Sequence, residues 1–194
     1  MAACGVLALQ GDWHAHGVVL DTLGCENRPV RTAADLDLVD RLVLPGGESS
    51  AMLRLMEGGD LASRIGERIA AGMAVLATCA GVVLLAERVE PEQTSLGVLS
   101  VDVVRNAYGR QVFSSVEEVE VRPPLGPPSS MEAVFIRAPR IVKAGSGVDV
   151  LALWRDDPVV VRQGNIFGVT FHPELTRDLR IHELFLRSGE DRDG

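Results

Sequence analysis

The chain has 194 residues, of which 46% are apolar and 24% charged; this composition excludes global disorder and predicts one globular domain. Its 27 acidic residues outnumber its 19 basic residues and give a formal charge of −8, so a nucleic acid is not expected as the main partner. No apolar run approaches the ~20 residues that cross a bilayer, and the acidic Asp12 follows the first apolar run, so we expect a cytoplasmic protein without a membrane anchor or signal peptide.

Short apolar runs alternate with helical patterns in the first half of the chain. Asp12 suits the N-cap of the first helix, and Gly24 suits its end. The order predicts an α/β fold with a parallel sheet and helices on both faces. The predicted strands are residues 4–10, 41–45 and 73–78, and the predicted helices are residues 12–23, 49–57, 60–71 and 80–88.

The second half of the chain is richer in short β segments, which we expect to pair antiparallel or to extend the sheet edge. Residues 122–130 contain four prolines and are predicted to form a loop. An amphipathic helix is predicted at residues 176–188. The domain therefore spans residues 1–188, and residues 189–194 form a frayed tail. The predicted β segments are residues 98–104, 112–121, 132–136, 141–144, 148–154, 158–163 and 165–171.

Cys79 stands where an apolar strand pattern gives way to a helical one, with Ala77, Ala80 and Gly81 around it. A nucleophile on a sharp strand-to-helix turn needs small neighbours, and a helix N-terminus favours a thiolate. Taken alone, however, a free cysteine is more often a small buried hydrophobic residue. The other two cysteines, Cys4 and Cys25, form no disulfide or metal pattern with it.

His172 and Glu174 follow another predicted strand, two residues apart, so an extended backbone would point both to the same side. A carboxylate beside a histidine can fix its tautomer, although a surface histidine with a solvated glutamate is the plainer interpretation. The glycines in residues 44–50 can turn backbone N–H groups toward a ligand, or can simply form a turn. Together with Cys79, these segments predict a Cys-His-Glu nucleophilic site at the strand ends.

The remaining histidines and the single lysine carry less information. His14 and His16 lie two positions apart on the first helix, on different faces, so a zinc site there is not expected. His182 lies in the last predicted helix, and glycine-rich phosphate motifs are absent from the sequence. Lys143 is the only lysine, so any Schiff base would need it, and it is predicted to lie in a turn.

Several motifs resemble those of the class I, triad-type glutamine amidotransferases: TCAG at 78–81, LPGGE at 44–48 and FHPE at 171–174. A narrower set is similar to the glutaminase subunits of pyridoxal 5′-phosphate synthase. The strand-to-helix turn that carries Cys79 differs from the broader class in having Ala77 where glycine is commoner. Ser50 stands where many relatives carry threonine. The narrower set is LQGD at 9–12 with His16, LPGGESS at 44–50, RNAYGRQ at 105–111, FIRAP at 135–139 and FHPELTRD at 171–178.

The resemblance implies a three-layer, flavodoxin-like fold with a mostly parallel central sheet. It implies that Cys79 is the nucleophile, that His172 is the general base and then acid, and that Glu174 orients His172. It also implies an oxyanion hole made by the backbone N–H groups of Gly47 and Ala80. The residues implied to bind glutamine are Gly47, Glu48, Ser49, Arg105, Ile136 and Arg137.

The implied reaction is hydrolysis of L-glutamine to L-glutamate and ammonia through a thioester, with no metal and no cofactor on this chain. The ammonia would pass to a separate synthase subunit, a barrel enzyme, in a hetero-oligomer for vitamin B6 biosynthesis. Gln10 and His16 lie in the part of the family that faces this partner. Two alternatives stay open: a glutaminase for a different synthase or a γ-glutamyl hydrolase, and a non-catalytic binding protein with Cys79 as a redox sensor.

Overall fold

A computed structural model describes residues 3–107 and 114–188. The strands are β1 (Cys4–Leu7), β2 (Asn27–Val30), β3 (Arg41–Leu44), β4 (Ala74–Thr78), β5 (Ala86–Glu90), β6 (Leu99–Val104), β7 (Ser114–Val121), β8 (Ser129–Ile136), β9 (Arg140–Ala144), β10 (Asp149–Trp154), β11 (Asp157–Gln163) and β12 (Ile166–Val169). The helices are α1 (Trp13–Thr22), α2 (Ala33–Leu36), α3 (Ser49–Met56), α4 (Leu61–Ala70), α5 (Ala80–Leu85) and α6 (Arg180–Arg187), with a 3₁₀ turn at Pro173–Leu175.

A nine-stranded sheet forms the centre of the molecule, in the order β2-β1-β3-β4-β12-β11-β10-β7-β8. The strands from β2 to β12 pair in parallel, and the strands from β12 to β8 pair antiparallel. Strands β5, β6 and β9 form a second, smaller sheet. The strand order reverses between β1 and β3, and ligand sites in such sheets lie at the carboxyl ends of the strands beside this reversal.

Helices cover both faces of the sheet, which confirms the three-layer α/β prediction. Successive residues of a strand point to opposite faces, so Leu42 and Leu44 pack with α3, α4 and α5, whereas Val43 packs with α1 and α6. All three of these side chains are at most 1% exposed. The short central strands are therefore mostly apolar because both of their faces are buried, with Arg41 at the start of β3 and Thr78 at the end of β4 as exceptions.

The predicted elements of the first half are largely confirmed, including the ends of α1. Asp12 accepts a hydrogen bond from the backbone N–H of Ala15 at 3.4 Å, and Gly24 follows the helix with a φ of +71°. The helix predicted to continue to residue 88 is wrong beyond Leu85, because the chain turns there into β5, which pairs with β6. Besides β5, two further elements were not predicted, β2 and α2; β2 is an edge strand that tolerates a proline, Pro29.

The second half also departs from the prediction in detail. Strand β8 begins at Ser129, inside the segment predicted as a loop, and α6 begins at Arg180 after the 3₁₀ turn. Lys143, predicted in a turn, lies in β9 opposite Asp102 of β6. The tail at residues 189–194 and part of the RNAYGRQ motif lie outside the described residues. Within residues 3–107 and 114–188, no helix is both long and apolar enough to span a bilayer.

Candidate active site

Cys79 occupies the turn between β4 and α5, with a φ of +47° and a ψ of −105°. Its backbone N–H donates to the carbonyl of Val169 on β12 at 2.8 Å, which ties the turn to the neighbouring strand. A Cβ on Gly81 would lie 2.2 Å from the carbonyl oxygen of Leu44, so only glycine lets α5 pack this closely on the end of β3. The strained turn places the sulfur 3.8 Å from the carbonyl oxygen of Ile136.

His172 reaches the same place from β12, where its backbone N–H donates to the carbonyl of Val134 at 2.8 Å. Its Nδ1 lies 2.7 Å from Oε1 of Glu174, and its ring lies near enough to Cys79 for the thiol to raise the pKa of the ring. Because Nδ1 faces the glutamate, Nε2 is the nitrogen that faces the sulfur. His172 and Glu174 are each only 7% exposed, which excludes the interpretation as a solvated surface pair.

The electrostatics of this cluster favour a charged histidine. Burial lowers the pKa of His172, but its hydrogen bonds with Cys79 and Glu174 outweigh burial and raise the pKa to about 10. Burial would raise the pKa of Glu174, but the imidazoles of His16 and His172 hold it below its usual range. At neutral pH the cluster therefore contains a carboxylate and an imidazolium, an arrangement that can stabilise a thiolate nucleophile.

The glycine turn after β3 packs directly against the histidine. A Cβ on Gly46 would lie 2.3 Å from Cε1 of His172, and one on Gly47 would lie 2.4 Å from Oε1 of Gln10. The backbone N–H of Glu48 donates to that Gln10 oxygen at 2.6 Å. Two glycines are thus needed for the close approach of this turn, and Gln10 fixes the turn from the end of β1.

A polar cluster beside Cys79 contains two of the residues implied to bind glutamine. Oγ of Ser49 lies 3.1 Å from Oε1 of Gln93, and Oγ of Ser50 lies 3.0 Å from the same oxygen. The guanidinium of Arg105 donates to Gln93 and, at 3.4 Å, to Ser50. Gln93 connects this cluster, and sequence reasoning missed it because nothing in its loop distinguishes it from a solvated glutamine.

Glu48 and Arg137 form an ion pair with each other, at 2.9 Å, and their side chains are 48% and 54% exposed. The cavity next to Cys79 has a volume of about 40 Å³, close to the share of one or two waters in the liquid. The cavity is lined by Ser49, Cys79, Ala80, Val83, Arg105, Asn106, Arg137 and Pro139.

His16, which the resemblance places in the part of the family that faces the partner subunit, is not exposed on the surface of α1. It is fully buried, because His16, Val19 and Leu20 form the inward face of α1 at helical spacing. Its Nε2 lies 3.3 Å from Oε2 of Glu174, and its Nδ1 lies 3.1 Å from Nε2 of His182, which is also fully buried. The sequence contained a signal for this burial, since the apolar residues Val19 and Leu20, three and four positions after His16, mark the same helix face.

His14 is exposed on the same helix, as the helical spacing predicted. Among the residues that the structure describes, no group of three or more histidine, cysteine, aspartate or glutamate side chains could hold a metal ion.

The chain is similar to known amidotransferases over nearly its whole length. It is 51% identical over 183 residues to the pyridoxal 5′-phosphate synthase subunit PdxT of Thermotoga sp. (strain RQ2), covering 94% of this chain and 96% of that relative. A crystal structure of a glutamine amidotransferase superposes with a TM-score of 0.90 at 44% identity, covering 97% of this chain and 100% of the other.

A more distant structure, PurLQS from Thermotoga maritima, shares the fold with a TM-score of 0.74 at 17% identity, covering 96% of this chain and 97% of the other. The model of the SNO glutamine amidotransferase family matches residues 6–191. The chain therefore belongs to the SNO glutamine amidotransferase family.

Proposed function

We propose that this chain hydrolyses L-glutamine to L-glutamate and ammonia, and that it does so as the ammonia-supplying subunit of a pyridoxal 5′-phosphate synthase. One observation supports this proposal above the others: Cys79, His172 and Glu174 meet in a buried cluster at the ends of β4 and β12. A relative that is 51% identical over 94% of the chain bears the name of a pyridoxal 5′-phosphate synthase subunit, and this supports the assignment to that pathway.

The geometry suits a two-step acyl transfer. The Cys79 thiolate attacks the side-chain amide carbon of glutamine, and the backbone N–H groups of Gly47 and Ala80 donate hydrogen bonds to the developing oxyanion. His172, held as an imidazolium, donates its proton to the departing nitrogen, which leaves as ammonia. His172 is then neutral and takes a proton from the water that hydrolyses the thioester. Glu174 keeps Nδ1 of His172 occupied through both steps.

Charged and polar side chains around the cavity supply the means to hold the substrate. Arg105 and Arg137 offer planar guanidinium groups that match the α-carboxylate of glutamine, and Glu48 offers a carboxylate for its α-amino group. Ser49 and the backbone of Ile136 flank Cys79. Binding then exchanges the ion pair between Glu48 and Arg137 for pairs with the two charged groups of the substrate.

The proposed protein partner is a separate barrel-type synthase subunit in a hetero-oligomer, which consumes the ammonia. Gln10 connects its own strand end to the turn that carries Gly47, through the hydrogen bond from the N–H of Glu48. A partner that contacts the segment after β1 could therefore act, through Gln10, on the glycine turn that carries Gly47 and its proposed oxyanion-hole N–H group. This arrangement supports a glutaminase whose activity depends on the assembled complex.

The experiment is a measurement of glutamate release from glutamine by the purified chain, alone and with the synthase subunit. We expect Cys79→Ala to lower the rate in the complex by at least about a thousandfold, because the nucleophile is lost. Cys25→Ala is the matched control, since Cys25 is a free, half-buried cysteine on the approach to β2, and it should retain the wild-type rate.

A glutamine-analogue chloroketone tests the same assignment without the partner's chemistry. It should alkylate wild type at Cys79, and glutamine should protect the thiol. Peroxide sensitivity without reaction with the analogue would instead favour a redox sensor. Strong hydrolysis that is indifferent to the synthase subunit would retain the glutaminase but remove the pathway assignment.

A further inference from the structure

A chain of buried polar side chains extends behind the glutamate of the catalytic cluster. We propose that His16 and His182 are positioning residues that form a neutral, hydrogen-bonded relay and fix the carboxylate of Glu174 in place. The inference rests on the proposed glutaminase site, because Glu174 belongs to that site. His16 and His182 would act through Glu174 and would not touch the substrate. His16 comes from α1 and His182 from α6, so two helices on the same face of the sheet supply the relay.

The two oxygens of Glu174 have different partners. Oε1 faces Nδ1 of His172 at 2.7 Å, whereas Oε2 is buried at the opposite side of the carboxylate. Nε2 of His16 lies 3.3 Å from Oε2, close enough for an ion pair but outside hydrogen-bond geometry, and among the described residues Oε2 has no hydrogen-bond partner. A buried carboxylate oxygen without a donor is costly, so the adjacent Nε2 of His16 is the group placed to stabilise it as an anion.

The positions of the ring nitrogens determine the tautomers. Nε2 of His16 faces a carboxylate oxygen, so it must carry a proton, because two lone pairs at 3.3 Å would repel. Nδ1 of a neutral His16 is then an acceptor, and it lies 3.1 Å from Nε2 of His182. His182 must therefore carry its proton on Nε2 and donate it to His16. Thr78 Oγ1, 3.1 Å from Nε2 of His16, is the hydrogen-bond acceptor for this His16 proton, and Oε2 of Glu174 lies beside the same nitrogen.

The surroundings keep both imidazoles neutral. Burial lowers the pKa of His16, assisted by the positive charge of His172 and opposed by the carboxylates of Glu174 and Asp12. Burial likewise lowers the pKa of His182 to about 3, assisted by His16 and opposed by Glu174. Neutral donors hold the carboxylate without adding a second positive charge that would compete with the imidazolium of His172 for it.

Loss of the relay should be detectable at His172. Without the Nε2–H group of His16 beside Oε2, the carboxylate of Glu174 would be less stable as an anion and free to rotate away from Nδ1. The pKa of His172 would fall as a consequence, since Glu174 is one of the two groups that raise it. A purely structural role for His16 predicts an unchanged pKa of His172, because an apolar side chain of similar size would then fill the core equally well.

The first test is nitrogen NMR of the wild-type chain labelled at histidine, which reads the tautomer of each ring directly. We expect both His16 and His182 to be neutral at pH 7 and protonated at Nε2. A His16 proton on Nδ1, or a charged His16, would overturn the proposal. This measurement needs no variant and no activity.

The second test compares His16→Leu with His16→Gln, whose amide nitrogen can reach the position of Nε2. We expect His16→Leu to lower kcat by about 10–100-fold, the range found for residues that orient a histidine at a metal site, with KM nearly unchanged. His16→Gln should recover most of kcat, and His14→Leu, at an exposed position of the same helix, should match wild type. NMR should also show a lower pKa of His172 in His16→Leu only.

Wild-type kcat and an unchanged His172 titration in folded His16→Leu would overturn the relay and leave His16 as a core residue. If His16→Leu does not fold, the wild-type tautomers and the His16→Gln kinetics still decide. A wild-type chain without glutaminase activity in the complex, but with the expected tautomers, would overturn the proposed function and leave the geometry of the relay intact.

Discussion

His172 keeps its positive charge because two partners hold it from opposite sides. Glu174 accepts from Nδ1, and Cys79 is the other group whose proximity raises the pKa of His172. The histidine is buried, so water cannot replace either partner if one is removed. The charge of His172 therefore depends on the carboxylate more strongly than it would at the surface.

Glu174→Gln should lower the pKa of His172 from about 10, because the substitution retains shape but removes the negative charge. A histidine NMR titration from pH 5 to pH 11 would locate the midpoint in wild type and variant. Glu183→Gln, on the exposed part of α6, is the control and should leave the midpoint unchanged. An unchanged midpoint in Glu174→Gln would show that the carboxylate of Glu174 is not what holds the charge of His172.

The sequence predicted the place of some site residues and missed that of others. Cys79, His172 and Glu174 each follow an apolar strand, and strand ends meet at one edge of a sheet, so their proximity was predictable. Gln93 and the contact between His16 and His182 depend on loop geometry and on helix rotation, which one sequence does not specify. The substrate and oxyanion roles of Gly47, Ala80, Glu48 and the other implied residues remain predictions. The other residues implied to bind glutamine are Ser49, Arg105, Ile136 and Arg137.

The turn between β4 and α5 carries its function through close packing as well as through its cysteine. Helix α5 approaches the end of β3 so closely that Gly81 has no space for a side chain. The helix is apolar along its whole length because it is buried on all sides. Its position therefore depends on packing, and small changes there move the nucleophile.

Gly81→Ala should lower the free energy of unfolding by about 1–3 kcal/mol, as overpacked cores do, and should abolish most glutaminase activity. Gly66→Ala in α4 is the matched control, because a Cβ there meets nothing within 4 Å. It should raise the free energy of unfolding by about 1 kcal/mol, the difference in helix propensity, and leave activity unchanged. Urea titrations and glutamate release measure both effects. Equal stabilities would contradict the packing argument.

Periodic elements were predicted better than short ones. The apolar strands β3 and β4 and the amphipathic helix α4 have patterns long enough to identify. The edge strand β2 is short and half polar, and β5 continues directly from an apolar helix, so neither has a local signal. Tertiary pairing decides both, since β2 pairs with β1 and β5 with β6.

The molecule as a whole contains two apolar cores, one on each face of the sheet, and one of them surrounds the buried histidines. A histidine that is buried as a neutral group binds its proton less readily in the folded chain than in the unfolded chain. Its contribution to stability is therefore complete above the unfolded pKa of about 6.5 and decreases as the pH falls toward the folded pKa. For His182 that lower value is about 3.

The free energy of unfolding should fall on acidification, and His182 alone should account for about 2 kcal/mol of the loss between pH 7 and pH 5. His182→Leu should flatten the pH dependence by that amount in urea titrations at both pH values. His14→Leu should retain the wild-type pH dependence, because His14 is exposed. A variant at position 182 with undiminished pH dependence would assign the acid loss to other groups.

The pairing of β4 with β12 also bears on how the chain folds. Cys79 follows one of these strands and His172 follows the other, and the chain between Thr78 and Ile166 must close a loop of roughly 90 residues before they meet. Closing such a loop costs on the order of 4 kcal/mol of chain entropy, and long-range parallel pairing is slow. In a refolding experiment, recovery of glutamine-protected alkylation of Cys79 by the glutamine-analogue chloroketone would thus report a late event. It should follow the formation of the local helices.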